Sequence, residues 1–280
     1  MGKKFPLEDK HIILTQTEMQ IKKFEKHLIV EKAVPLAMPC IEPKIILSDK
    51  EMNDSFSNLG QYDWVIFTSQ NAFLLLYEYL KKIHKQDQLH KIKIASIGHE
   101  TKETIQEEGF SIAFTPEIPK TSKEFFDQWM ENVNLRGKKI LFPRSKRSVS
   151  QVPDNLIDLG ALIIPIEFYD VLQHDHLSKY FESLVTLDID WVVFSSPTAV
   201  NAFFSMRSND EEVRHWIFST GVKIITIGPT TTQALSEKRV PVSCESPKPS
   251  ARWMVETMKA FEKLENWDYS EDEEENDDEE

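Results

Sequence analysis

The amino-acid sequence repeats itself with an offset of about 127 residues, and this repeat restricts the possible fold more than any other feature. Residues 63–69 (DWVIFTS) match residues 190–196 (DWVVFSS). A second pair agrees, because residues 93–98 (KIASIG) match residues 223–228 (KIITIG). Self-similarity at a fixed period is typical of a duplicated structural unit. The chain is therefore predicted to contain two copies of one unit, the second ending near Leu264.

Within each copy, short apolar runs alternate with longer segments of helical period. This alternation predicts an α/β fold in which βαβ units form a buried parallel sheet. The predicted strands include residues 64–67, 92–97, 140–142, 191–194 and 222–227. Ser69, Ser122 and Ser196 precede predicted helices as capping residues. Gly109 and Gly160 stand where helices are predicted to end.

The distribution of charge argues against nucleic acid as a partner. The net charge is -13, but eleven of the final 16 residues are acidic. The rest of the chain sets 33 basic against 35 acidic residues and has no dense Lys/Arg stripe. The segment 265–280 is too acidic and too poor in apolar residues to fold alone, so it is predicted to be a disordered tail.

Several other classes of protein lack support in the sequence. No apolar run reaches the roughly 18 residues that a membrane span needs, so no membrane association is predicted. Cys40 and Cys244 lack CxxC spacing, which implies neither a disulfide framework nor a zinc site and fits a cytoplasmic location. His174 and His176 have no evident third ligand, and a polar linker is favoured over a metal site. Dinucleotide, P-loop, zincin and hydrolase signatures are absent from the sequence.

Hydroxyl side chains follow the predicted strands repeatedly. Ser69 and Thr101 occupy such positions in the first copy, and Ser196, Thr230 and Thr231 occupy them in the second. Ligands of open parallel sheets bind beyond the carboxyl ends of the strands, where helix N-termini present backbone N–H groups and partial positive charge. These positions suit carboxylates or phosphates. For any one of them, an ordinary helix cap remains the alternative.

Two further side chains are candidates for a functional site. Arg144 follows the predicted strand 140–142 and could bind an anionic group, with a solvated loop as the alternative. Tyr169 follows a mostly apolar run where the two repeats join. Its phenol could donate a proton, although a buried structural tyrosine is the alternative.

Taken in order, these motifs resemble those of the uroporphyrinogen-III synthase (HemD) family across residues 11–262. The segments that carry the resemblance are residues 227–235 (IGPTTTQAL), 240–249 (VPVSCESPKP), 67–72 (FTSQNA), 194–197 (FSSP), 159–160 (LG) and 166–169 (IEFY). The resemblance implies two similar α/β lobes, each a parallel sheet flanked by helices, joined by a two-stranded linker, with the active site in the cleft between them. One lobe would combine residues 1–38 with 174–264, and the other would span residues 42–168.

The same resemblance implies an activity. Members of the family cyclise hydroxymethylbilane to uroporphyrinogen III, losing water and inverting ring D through a spiro intermediate, a hydro-lyase reaction without metal or organic cofactor. Tyr169 matches the tyrosine proposed to help the hydroxyl depart, and the candidate hydroxyls and Arg144 match substrate contacts. A monomer in transient contact with hydroxymethylbilane synthase is expected.

Some positions depart from the family pattern and keep a second hypothesis open. Gln16 stands where many relatives have arginine, and Lys238 and Arg239 replace a helix-ending glycine. The alternative is a non-catalytic, two-lobed regulatory protein that binds a tetrapyrrole or another anion. Product analysis with hydroxymethylbilane separates the two hypotheses.

Overall fold

A computed structural model describes residues 5–116, 122–147, 160–206 and 210–274. The chain forms two compact units. Unit 1 comprises Met1–Glu42 and Leu172–Glu280, and unit 2 comprises Pro43–Val171. The polypeptide therefore passes from one unit to the other twice, and unit 1 is discontinuous in sequence.

The strands of the described residues are short and follow one another along the chain. In order they are β1 (His11–Leu14), β2 (Val34–Ala37), β3 (Ile41–Ile45), β4 (Trp64–Phe67), β5 (Lys93–Ser96), β6 (Lys139–Ser145), β7 (Leu162–Gln173), β8 (Trp191–Phe194), β9 (Lys223–Thr226) and β10 (Cys244–Glu245).

The α-helices of the described residues lie between these strands and after the last one. In order they are α1 (Glu18–Val30), α2 (Asp49–Phe56), α3 (Gln70–Lys82), α4 (His99–Glu107), α5 (Ser122–Asn132), α6 (Leu177–Leu184), α7 (Pro197–Ser205), α8 (Asp210–Thr220), α9 (Pro229–Glu237) and α10 (Ala251–Glu274). Inside the described ranges, no helix combines the length and apolar character that crossing a membrane requires.

Unit 1 is built on a five-stranded sheet in the order β10-β9-β8-β1-β2. Its neighbouring strands run parallel. All its strands therefore end at one edge of the sheet, and the helices that follow them begin there. The apolar face is buried against helices such as α1 and α10, with Phe24, Trp191 and Met258 in the core.

Unit 2 has a five-stranded sheet in the order β3-β7-β6-β4-β5. Strands β7, β6, β4 and β5 pair in parallel. Strand β3 lies beside β7 at the edge, where the amide of Ile46 donates to the carbonyl oxygen of Phe168 at 2.9 Å. An aromatic cluster around the fully buried Trp129 fills one side of this sheet.

The duplication is visible in the two sheets, because four strands follow the same order in each. The order β9-β8-β1-β2 in unit 1 corresponds to β5-β4-β6-β7 in unit 2. Two aspartates at the matching strand starts make the same contact, because Asp190 accepts from the amide of His11 at 2.8 Å and Asp63 accepts from the amide of Lys139 at 2.9 Å. Each unit therefore combines strands from the first and the second copy.

The predicted strand and helix starts agree with the structure at most positions. The predicted strands 64–67 and 191–194 are β4 and β8. Ser69 and Ser196 cap α3 and α7, accepting from Ala72 at 3.2 Å and from Ala199 at 3.1 Å. Gly109 follows α4 with a φ of +87°, a conformation that glycine adopts without strain. The residues before Gly160 lie outside the described ranges.

The acidic segment 265–280 differs from its predicted disorder over its first part. Helix α10 continues through Glu274, and the residues beyond it lie outside the described ranges. Lengthening a helix that is already nucleated needs no new nucleus, and glutamate is a good helix former. The packed start of α10 therefore accounts for helical structure in a segment too polar to fold alone.

Candidate active site

The side chains of Tyr169 and Ser69 meet in unit 2, although 100 residues separate them. Tyr169 lies near the end of β7, and Ser69 lies between β4 and α3. The phenolic oxygen of Tyr169 is 2.8 Å from Oγ of Ser69. Because Oγ of Ser69 also accepts the N–H of Ala72, the tyrosine is tied to the N-terminus of a helix.

Burial raises the pKa of Tyr169. The side chain is 3% exposed and contacts the ring of Phe168 edge-on at 5.1 Å between centroids. Burial raises the pKa of Tyr169, the hydrogen bond with Ser69 lowers it in part, and the charge of Asp170 raises it further. The net result is a pKa above the ordinary value of 10.0, so the phenol is a proton donor at neutral pH.

A titration tests this protonation state. The phenol of Tyr169 is expected to ionise above pH 10, and the difference in absorbance near 295 nm between wild type and Tyr169→Phe measures it. Below pH 10 the phenol is protonated in both the folded and the unfolded chain. Above pH 10 the unfolded chain ionises first, so wild type loses stability relative to the variant as pH rises through the folded-state pKa. Ionisation of Tyr169 below pH 9 would contradict the buried arrangement.

The N-terminus of α4 is linked to that of α3 by side-chain hydrogen bonds. The amide of Gln70 donates to Glu100 at 2.7 Å and accepts from the hydroxyl of Thr104 at 3.0 Å. Thr101 occupies the third position of α4 and is 5% exposed. Two helix N-termini are thus held side by side at the carboxyl edge of the unit 2 sheet. Gln70 was not anticipated from the sequence, since only its position after the cap Ser69 marks it.

Arg144 lies within β6, not in a solvated loop after it. The strand extends through Ser145, and Arg144 pairs with Glu167 on β7. Its side chain is 15% exposed, with Nε 3.9 Å from a carboxylate oxygen of Glu167. The predicted strand end at residue 142 was wrong because the ladder with β7 continues past Pro143. A β-bulge after Arg144 then sets Ser145 opposite Tyr169.

Lys146 and Arg147 follow the same predicted strand as Arg144, share with it the prediction of contact with anionic groups, and lie beside Tyr169 and Asp170. Nε of Arg147 is 3.1 Å and 3.2 Å from the two carboxylate oxygens of Asp170, which is 7% exposed. The amide of Lys146 donates to the carbonyl oxygen of Tyr169 at 2.9 Å. The two residues after β6 therefore contact Tyr169 through a backbone hydrogen bond and Asp170 through an ion pair. In the sequence, only the position of Arg147 near Arg144 and of Asp170 next to Tyr169 pointed to this ion pair.

Unit 1 repeats part of this arrangement. Ser196 caps α7, and α9 begins with Pro229 after Gly228. Thr231 occupies the third position of α9, as Thr101 does in α4, and is fully buried. Among the described residues, no hydrogen-bond partner is present for Oγ1 of Thr231. Thr230, which precedes Thr231 in α9, is exposed.

The structure places the candidate residues in two groups. Tyr169, Ser69, Thr101 and Arg144 belong to unit 2, and Ser196, Thr230 and Thr231 belong to unit 1. Their roles as substrate contacts stay predictions. Across the described ranges there is no group of three or more His, Cys, Asp or Glu side chains able to hold a metal ion. His174 instead lies 3.8 Å from Glu18 and packs against the ring of Tyr180.

The fold and these side chains define a class of protein: a duplicated, two-unit α/β protein whose helix N-termini carry hydroxyl groups suited to carboxylates. The family model described as "Uroporphyrinogen-III synthase HemD" matches residues 22–256. The chain belongs to the uroporphyrinogen-III synthase family, and it is an enzyme of porphyrin biosynthesis that acts on a small molecule.

Individual relatives agree with this assignment. The chain is 24% identical over 238 residues to the uroporphyrinogen-III synthase of Synechococcus elongatus, covering 83% of this chain and 88% of the relative. It is similar in fold to the uroporphyrinogen-III synthetase of Helicobacter pylori, with a TM-score of 0.59, 20% identity and coverage of 90% and 99%. A crystal structure of the Thermus thermophilus enzyme gives a TM-score of 0.52, 17% identity and coverage of 90% and 98%. These structures support the predicted two-lobed fold.

Proposed function

We propose that Tyr169 is the general acid in the conversion of hydroxymethylbilane to uroporphyrinogen III, which makes the enzyme a hydro-lyase. The observation that carries this proposal is the contact between the buried phenol and Ser69 at the N-terminus of α3. Both residues match the family motifs, and the phenol is protonated at neutral pH, since burial raises its pKa from an ordinary value that is already 10.0.

The first step breaks the bond between carbon and the hydroxyl of the substrate. The phenol gives its proton to the departing oxygen, water leaves, and the lone pair of the pyrrole nitrogen stabilises the resulting azafulvene cation. Ser69 can donate its hydroxyl hydrogen to the phenolate that forms, while its oxygen accepts from Ala72. The positive end of the α3 dipole also favours a developing negative charge at this place.

The second step requires positioning more than further acid or base catalysis. The cation is attacked by the substituted carbon of ring D, and the spiro intermediate fragments and recloses with that ring inverted. The pyrrole carbon that forms the closing bond then loses its proton, which neutralises the macrocycle and returns a proton to the phenolate. Unassisted closure occurs head to tail and gives isomer I. The enzyme must therefore hold the flexible substrate in the geometry that leads to isomer III.

The carboxylates of the substrate provide the means of positioning. We assign Ser69 and Thr101 in unit 2 and Ser196, Thr230 and Thr231 in unit 1 as contacts, because they lie at helix N-termini, where the helix dipole is positive. Arg144 supplies a charged donor at the end of β6. This chemistry calls for no metal or organic cofactor, since the pyrrole itself drives the departure of the hydroxyl.

The cellular setting follows from the lability of the substrate. Because hydroxymethylbilane closes spontaneously to the wrong isomer, rapid transfer from hydroxymethylbilane synthase through a transient contact would preserve it. We propose a monomeric enzyme in the reducing cytoplasm, where the unpaired thiols of Cys40 and Cys244 are compatible with their surroundings.

Separation of the product isomers tests the proposed function. The full-length chain is incubated with freshly prepared hydroxymethylbilane, and the products are oxidised and resolved by chromatography. We expect isomer III to predominate and to form faster than the spontaneous reaction. Formation of isomer I alone, at the spontaneous rate, would refute the proposed enzymatic activity. Binding of uroporphyrinogen III without formation of isomer III would instead support the non-catalytic binding protein.

A further inference from the structure

Gln16 carries a buried side-chain amide beside the N-terminus of α1. It lies two residues after β1 and directly before Thr17, the cap of α1, and is 2% exposed. Among the described residues, neither Nε2 nor Oε1 of Gln16 has a hydrogen-bond partner. A glutamine amide offers two donor hydrogens and one acceptor oxygen, so its full hydrogen-bonding capacity is unused.

The polar groups next to Gln16 are satisfied, which sets this residue apart. Oγ1 of Thr15 donates to the carbonyl oxygen of Val193 at 2.7 Å. Thr17 forms a capping box with Gln20. Its hydroxyl accepts from the backbone N–H of Gln20 and donates to the side-chain oxygen of Gln20. The local backbone therefore does not need Gln16 for its own hydrogen bonds.

The unpartnered hydroxyl of Thr231 lies at the same edge of the sheet. Strands β1 and β9 flank β8 on opposite sides, and all three run parallel. The segments that follow them, including Gln16 and Thr231, thus begin at one edge. Thr232, beside Thr231, already bonds to Thr226 at 2.7 Å. Within the described part of unit 1, the helix N-termini at this edge thus include two buried polar side chains, those of Gln16 and Thr231, without hydrogen-bond partners.

Such groups are unfavourable in the free protein, because burial removes them from water without replacing its hydrogen bonds. They are rare in native structures and point to a bound polar molecule. A neutral amide that offers both donor and acceptor fits a ligand of the same mixed character. A linear tetrapyrrole is one, since it carries pyrrole N–H donors and carboxylate acceptors.

We propose that Gln16 is a substrate-positioning residue that binds the tetrapyrrole through its amide. Oε1 accepts from a pyrrole N–H and Nε2 donates to a side-chain carboxylate, while Oγ1 of Thr231 donates to another polar group at the same edge. This inference rests on the proposed function and adds to it a residue that orients the pyrrole rings rather than only the carboxylates.

The variant Gln16→Met tests this role because methionine has a similar length and neither polar atom. We expect the KM for hydroxymethylbilane and the Kd for uroporphyrinogen III to rise roughly five- to tenfold, as for the loss of one or two hydrogen bonds. The Tm of the free protein is expected to stay the same or rise, since no protein partner is lost. A structural role would instead lower Tm and leave KM and Kd unchanged.

Trp216→Phe is a matched control in the same unit. Nε1 of Trp216 is also buried without a partner among the described residues, but it lies on α8, where the indole packs on Phe181 at 5.3 Å. This variant should keep the wild-type KM and Kd. If Gln16→Met does so too, the inference fails while the proposed function stands. If wild type makes only isomer I, the function fails, and the Kd comparison still decides whether Gln16 binds the tetrapyrrole.

Discussion

Replacement of Tyr169 by phenylalanine is expected to lower kcat by about 10²-fold, the low end of the range for loss of a general acid. The ring remains and keeps its contact with Phe168, so the variant removes only the proton donor. The KM should change little, because the phenol acts on the departing hydroxyl and not on the carboxylates. The Tm should fall by only a few degrees, as expected for loss of a single hydrogen bond.

Single-turnover measurements with fresh hydroxymethylbilane give this rate without interference from product release. Tyr79→Phe is the matched control, since Tyr79 is 7% exposed in the same core and lies on α3. It should retain wild-type turnover. If the two variants have equal kcat, Tyr169 is a structural residue and the proposed chemistry needs another acid.

The hydrogen bond between Ser69 and Tyr169 predicts how the two substitutions combine. Ser69→Ala removes both the helix cap and the partner of the phenol, so stability falls by about 1 kcal/mol and kcat falls as well. If Ser69 acts through Tyr169, the double variant should have the kcat of Tyr169→Phe alone. Independent, multiplicative losses would show that Ser69 assists the reaction by another route.

The sequence predicted much of the fold because its strongest signals are local. Strands such as β4 and β8 are continuous apolar runs, and the serine caps stand directly before their helices. The order of the strands depends on pairing between distant segments. The hydrophobic periodicity does not indicate that β6 pairs with β4 or that β1 pairs with β8. The prediction that each lobe contains strands from both copies therefore depended on the family resemblance alone.

The candidate site was predictable in its residue types but not in its contacts. Ser69 and Tyr169 were identified separately, while the hydrogen bond between them depends on the tertiary fold. Gln16 was noticed only as a departure from the family pattern. Its significance lies in burial without a partner, a property that depends on every neighbouring side chain and is invisible in a linear sequence.

The largest loss of stability is expected when the buried carboxylate of Glu262 on α10 loses its lysine partner. Glu262 is 3% exposed, and its Oε1 accepts from the indole of Trp191 and from Nζ of Lys223, each at 2.8 Å. Lys223 also contacts Glu265. Burial lowers the pKa of Lys223, but its hydrogen bonds with both carboxylates outweigh this and raise it above 10.5. The lysine is thus the main counter-charge for a carboxylate removed from water.

Lys223→Met should reduce the free energy of unfolding at pH 7 by about 3 kcal/mol, because it removes the lysine that pairs with a buried carboxylate at 2.8 Å. Lys10 is a more distant cation, with its Nζ 4.0 Å from Oε2 of Glu262.

Urea unfolding of the full chain at pH 7 measures this loss. Lys32→Met is the control, since Lys32 pairs with Glu8 at 2.6 Å in the same unit but is 53% exposed, and its loss should stay below about 1 kcal/mol. A loss for Lys223→Met that matches this control would mean that water reaches Glu262. The anchoring of α10 to the sheet would then depend on its apolar contacts alone.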